Sequence, residues 1–125
     1  MAKASEQPLA LIVEDSAETT VIMERAFQTN GFRTQTVYDG SVAVDMLETV
    51  VPAVLLLDLH LPHVNGLDIL ERIRTRPALN TMHIIVTSAN PVALENVSDD
   101  VAAILVKPLT YNDLRNVIAH IAATI

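Results

Sequence analysis

The chain contains no cysteine and no tryptophan. Without thiols there is no disulfide, no thiolate nucleophile and no Cys-rich zinc site, a usage that fits a reducing cytoplasm. Aromatic residues make up only 3% of the chain, so its core has to be built from Val, Leu, Ile and Ala. Basic residues are also scarce: 8 Lys and Arg stand against 15 Asp and Glu, for a net charge of -7. Phosphate backbones require a basic stripe, so direct nucleic-acid binding is not expected. No apolar run approaches the ~20 residues of a membrane helix. The polar start "MAKASEQP" lacks the apolar stretch of a signal peptide. These absences leave a cytoplasmic domain with no membrane contact, residues 1–8 forming a flexible tail and 9–125 the domain.

What is present suits one ordinary core, with 125 residues of which half are apolar. No internal repeat, linker or low-complexity segment is visible. Five short apolar runs stand out: Leu9–Val13, Arg33–Val37, Val54–Leu57, His83–Val86 and Ala103–Val106. The second alternates roughly. The other four are nearly continuous, as expected of strands covered on both faces. Six of the seven residues from Val51 to Leu57 are apolar, and that whole run is expected to be buried strand.

Helical stripes lie between the runs. Thr19, Ile22, Met23, Ala26 and Phe27 fall on one face, ended by Gly31. Ala43, Met46, Leu47 and Val50 repeat the pattern, as do Leu67, Leu70 and Ile73, which Pro77 stops. Leu114, Val117, Ile118 and Ile121 make the last stripe. The fourth helix, within "NPVALENVSDD", is expected to be short or irregular. The order is (βα)5. That alternation gives an α/β domain, a doubly wound five-stranded parallel sheet with helices on both faces.

In such sheets, ligands bind beyond the carboxyl ends of the strands. Glu14 and Asp15 follow the first strand, Asp58 the third, Thr87 and Ser88 the fourth, and Lys107 and Pro108 the fifth. Three carboxylates in one pocket repel each other, and a hard cation such as Mg2+ offsets this. Asp15 and Asp58 could bind it directly and Glu14 through a water. A lysine adds a fixed charge and Thr87 a hydrogen-bond donor. Together these groups can hold a phosphoryl group, with Asp58 as the nucleophile of an aspartyl phosphate. Taken singly, each residue has a plainer explanation. Asp15, for example, could cap the first helix with Ser16. Their joint occurrence after four different strands is what carries the argument.

Through "LIVEDS", "LLLDLHLPHVNG", "IIVTSAN" and "LVKPL", over about Leu9 to Ala122, the chain resembles the receiver domain of a two-component response regulator. The resemblance implies the flavodoxin-like strand order 2-1-3-4-5. It implies Asp58 as the phosphoryl acceptor from a histidine kinase or histidine phosphotransfer protein. It implies Mg2+ held by Glu14, Asp15, Asp58 and the backbone carbonyl of His60. Thr87 becomes the switch hydroxyl, Lys107 the phosphate partner and Pro108 a cis-proline. Pro62 and Gly66 match the loop after the acceptor. The signal would pass to a downstream protein or output domain.

The chain departs from the family at Ile104, where the third residue before the lysine is usually Tyr or Phe. An aliphatic side chain cannot swing a ring inward when Thr87 moves. Helix 4 has no Lys or Arg and Ala103–Val106 no acid, so dimerisation through a charged α4-β5-α5 face is not expected. Val97 and Ile104 are expected to be core, the alternative being an apolar α4-β5 face that meets a different partner. His60 and His63 lack the further ligands a zinc site needs, and His83 and His120 are incidental. His60 flanks the acceptor and is a candidate tuner of acyl-phosphate lifetime. Arg72, Arg74 and Arg76 suit the negative end of a helix.

Three other readings fit these residues less well. A haloacid-dehalogenase-like phosphatase uses similar groups, but many carry an acid two residues after the nucleophile, where this chain has His60. There is also no room for a cap domain. A flavodoxin-like cofactor binder would not place "EDS" where a phosphate must sit. A pseudo-receiver would not need the complete set Glu14, Asp15, Asp58, Thr87 and Lys107.

Overall fold

The computed structural model describes residues 6–95, 97 and 101–125. Among these, five strands alternate with five helices. The strands are β1 (Leu9–Val13), β2 (Arg33–Val37), β3 (Val54–Asp58), β4 (His83–Ser88) and β5 (Ala103–Val106). The helices are α1 (Ala17–Thr29), α2 (Gly40–Met46), α3 (Gly66–Arg74), α4 (Pro91–Leu94) and α5 (Tyr111–Ala122). The strands form one parallel sheet in the order β2-β1-β3-β4-β5. No described helix is long and apolar enough to cross a membrane.

The continuous apolar runs follow from burial on two sides. Side chains alternate across a strand, so each central strand feeds two cores. Ala10, Ile12, Val54, Leu56 and Ile85 pack with Met23, Ala26 and Phe27 of α1 and Leu114, Ile118 and Ile121 of α5. Leu11, Val13, Leu55, Leu57 and Val86 pack on the opposite face with Ala43, Ile69, Leu70 and Ile73. The few aromatics are concentrated: Phe27 and Phe32 meet edge to face at 5.4 Å. Gly31 between them has φ +86 and lets the Phe32 amide return to the Phe27 carbonyl.

Several expectations need correction. The strand begins at Val54, three residues after Val51, which is half exposed. Asp58, Thr87 and Ser88 lie inside β3 and β4, which run further than their apolar stretches. On α1, Ile22 is exposed and Thr20 buried in its stead, its hydroxyl donating to the Ala17 carbonyl at 2.8 Å. After α3, Pro77–Leu79 forms a 3-10 turn that puts Leu79 into the core. β5 is not covered on both faces. Ala103 and Leu105 pack on the α5 side, while Ile104 and Val106 are 43% and 48% exposed on the other. Among the described residues, the helix before β5, α4, is only four residues long. Val97 is buried as expected, but Ile104 is not core. Part of "NPVALENVSDD", residues 96 and 98–100, lies outside the described residues, as do residues 1–5 of the expected tail. Gln7 and Pro8 each give a carbonyl to Arg33.

Gly66 opens α3 against the end of β3. A Cβ there would stand 2.6 Å from the Leu59 Cα and 2.9 Å from the Asp58 carbonyl oxygen, both backbone atoms. Gly66→Ala should therefore force the chain apart at the site and lower stability by about 3 kcal/mol, read as a lower urea midpoint.

Candidate functional site

All five helices start at the carboxyl edge of the sheet, and each has its own cap. Ser16, Asp39, Asn65, Asn90 and Thr110 each accept a bond from an amide of the first turn. Ser16 thus serves α1, and Asp15 is left exposed at the pocket mouth.

β1, β3, β4 and β5 bring the expected residues together. Glu14 is fully buried and Asp58 is 2% exposed. Lys107, arriving just after β5, spans them: its Nζ lies 2.6 Å from Glu14 Oε1 and 3.1 Å from Asp58 Oδ2. Each carboxylate has a second partner. The Ser16 amide donates to Glu14 Oε2 at 3.1 Å, and the His60 amide donates to Asp58 Oδ1 at 3.0 Å. Asp58 and Thr87 are register partners across β3 and β4, and the Leu59 amide donates to the Thr87 carbonyl. The Thr87 hydroxyl is buried without a partner. The Thr36 hydroxyl is also without a partner, but Thr87 is the one placed beside Asp58 at the carboxyl edge, where it can donate to a bound oxygen. The Lys107–Pro108 peptide is cis. The His60 side chain is exposed, and Ile104 stands on the open face of β5.

Burial raises the Glu14 pKa to about 7. The Lys107 bond opposes this, while Asp15 and the Asp58 charge add to the rise. Burial also works against the Lys107 ammonium, but its bonds to Glu14 and Asp58 outweigh this and hold its pKa above the usual lysine value. A raised carboxyl pKa means that the folded chain holds a proton the unfolded chain has already released. The stability is present below the ordinary 4.5 and lost as pH rises towards about 7. The loss amounts to about 3 kcal/mol. Urea unfolding of the metal-free chain should show this slope, and Glu14→Gln should flatten it.

One oxygen each from Glu14, Asp15 and Asp58 lie within 4.8 Å of one another. Carboxylate oxygens so clustered fit a hard divalent cation. The pocket therefore offers a buried nucleophilic carboxylate, an ammonium, a hydroxyl with no partner and an acidic cation cradle.

Two features escaped the sequence. The His63 Nδ1 lies 2.8 Å from Asp39 Oδ2 in the loop before α2. Gly66 is a close-approach position as well as a loop match. Asp39 and His63 are 24 residues apart, and no local pattern links them.

A parallel α/β sheet with such a pocket at its carboxyl edge defines a class, and sequence comparison places the chain within it. The chain belongs to the response regulator receiver domain family, whose profile matches residues 10–119. It is 32% identical to "Probable methanogenesis regulatory protein FilR2" of Methanothrix harundinacea, over 95% of this chain and 84% of that protein. It is 26% identical to sporulation initiation phosphotransferase F of Bacillus subtilis, over 86% of this chain and 88% of that one. Against transcriptional regulatory protein TctD of Salmonella typhimurium it is 30% identical, and the match spans only 38% of that protein's length. Among solved structures, chemotaxis response regulator CheY4 of Vibrio cholerae shares the fold. Its TM-score is 0.82 at 19% identity, over 92% of this chain and 98% of that one.

Proposed function

We propose that Asp58 is the phosphoacceptor of this receiver domain, taking a phosphoryl group from the phosphohistidine of a histidine kinase or histidine phosphotransfer protein. The observation that carries this is the Asp58 carboxylate flanked by Lys107 at 3.1 Å and, across the strand register, by a Thr87 hydroxyl with no partner. In the transfer, the N–P bond of the donor breaks and an O–P bond to Asp58 forms, the imidazole leaving with its electron pair. Lys107 and Thr87 take phosphoryl oxygens, which completes the open hydroxyl. Asp15, Asp58 and the His60 carbonyl would hold Mg2+ directly, and Glu14 would act through a water. The ion, when bound, neutralises charge on the transferring oxygens. The domain occupies residues 9–125, works in the cytoplasm and signals to a downstream protein or output domain. With Ile104 at position 104 there is no ring to follow Thr87.

The test is incubation with Mg2+ and acetyl phosphate followed by intact mass. One phosphate adduct, mapped to Asp58, is expected. A chain that binds Mg2+ and gains no phosphate refutes the proposal.

A further inference from the structure

The loop from Leu59 to Asn65 leaves the acceptor and enters α3. Its first amide after Leu59, that of His60, is the one bonded to Asp58 Oδ1. Its base is closed by the Gly66 amide on the Leu59 carbonyl at 3.2 Å and by Gly66 pressed against Leu59. Its tip meets the start of α2 through a surface pair, His63 being 74% and Asp39 31% exposed. His63 sits at φ +70, a conformation that L side chains seldom adopt. There its Nδ1 reaches Asp39 Oδ2 at 2.8 Å. Asp39 Oδ1 meanwhile accepts the Ser41 amide and hydroxyl, each at 2.8 Å, capping α2. The Ser41 hydroxyl, the Ser41 amide and His63 all hold the Asp39 pKa below its ordinary value. An ionised carboxylate only accepts hydrogen bonds, so Nδ1 carries the proton and donates. Beside this pair, a Cβ on Gly40 would stand 3.0 Å from the Val64 Cβ, so the loop tip lies flush on the start of α2.

We propose that Asp39 and His63 are positioning residues for the acceptor. They pin the loop tip to α2 and so hold the His60 amide on the Asp58 carboxylate in the orientation that accepts a phosphoryl group. The inference rests on the phosphoacceptor assignment above. Neither residue touches the reacting atoms. The loop is a short span held at both ends, and His60 lies between the anchors. Freeing the tip lets the amide drift and the carboxylate turn, and small misplacements of a reacting group slow reactions steeply.

Three substitutions separate the side-chain bond from the backbone. His63→Gly accepts the left-handed turn and has no donor. Asp39→Ser keeps a cap on α2 and cannot reach His63. His63→Asn tolerates the turn and offers an amide donor. Two readouts are taken on the 15N-labelled chain: hydrogen exchange of the His60 amide, and the rate of adduct formation with Mg2+ and acetyl phosphate. His63→Gly and Asp39→Ser should each speed His60 exchange and slow adduct formation by about three- to tenfold. The double variant should do no worse than either alone, because both remove one bond. His63→Asn should stay near the parent. Parental exchange and rate in both single variants would overturn the inference, as would single effects that multiply in the double variant. So would a slower rate with the His60 amide undisturbed. A parent chain that takes no phosphate refutes the acceptor assignment instead, and the amide measurement then decides on the pair alone.

Discussion

Asp58→Asn is expected to take up no phosphate from acetyl phosphate and Mg2+, and yet to remain folded. Asparagine keeps the shape of the side chain and an oxygen for the His60 amide, which in the parent lies 3.0 Å from Oδ1. It removes the anionic oxygen that would attack phosphorus. It also removes a negative neighbour of Glu14, one of the causes that push the Glu14 pKa up to about 7. Lys107 keeps its 2.6 Å bond to Glu14. Lost attraction and lost repulsion therefore oppose each other, and stability at neutral pH should move by no more than about 1 kcal/mol. Part of the stability slope between pH 4.5 and about 7 should disappear with the charge. Intact mass and urea midpoints on the same preparation check both halves. An adduct of parental yield in Asp58→Asn would put the acceptor elsewhere.

Lys107→Met should produce the largest loss of stability among substitutions in the pocket. Methionine fills much of the space of the lysine stem and leaves two carboxylates, 0% and 2% exposed, without their cation. Breaking a buried ion pair from one side costs about 3–5 kcal/mol. The loss should depend on pH with a definite sign. The Lys107 bond holds the Glu14 pKa down. Without it, that pKa climbs above about 7, and the folded chain holds its proton across a wider range. The variant should thus be closest to the parent in acid and furthest from it above neutrality. Urea midpoints at about pH 5 and pH 8 measure the difference. Equal deficits at both would show that the lysine acts through packing and not through charge.

The pocket was legible because its residues lie at or just beyond the carboxyl ends of four strands. Parallel topology then collects them at one edge, whatever the intervening helices look like. The four strands that ran as continuous apolar stretches were found within two residues of their ends. The errors have a common cause. Periodicity says which side chains share a face but not what lies on it. Ala103–Val106 looks as apolar as β1, yet among the described residues Ala103 and Leu105 pack on the α5 side while Ile104 and Val106 are exposed. Ile22 fell in the apolar stripe of α1 for the same reason and is exposed. Asp39 and His63 were invisible for another. They belong to two loops that meet only once the sheet has formed, and hydrogen bonds between loops leave no periodic trace.

The cover of β5 bears on how the pocket holds its charges. Glu14 follows β1 and Asp58 ends β3, neighbouring interior strands that are buried along their length. The cation beside them follows an edge strand, β5, four residues long, whose Ile104 and Val106 are exposed. In native-state exchange, a strand so placed opens ahead of the centre. An opening there is expected to loosen the Lys107 contacts before the two acids move. Charge arriving in the pocket that Lys107 can hold fastens the edge of the sheet, so occupancy of one side chain is written into the cohesion of a whole strand.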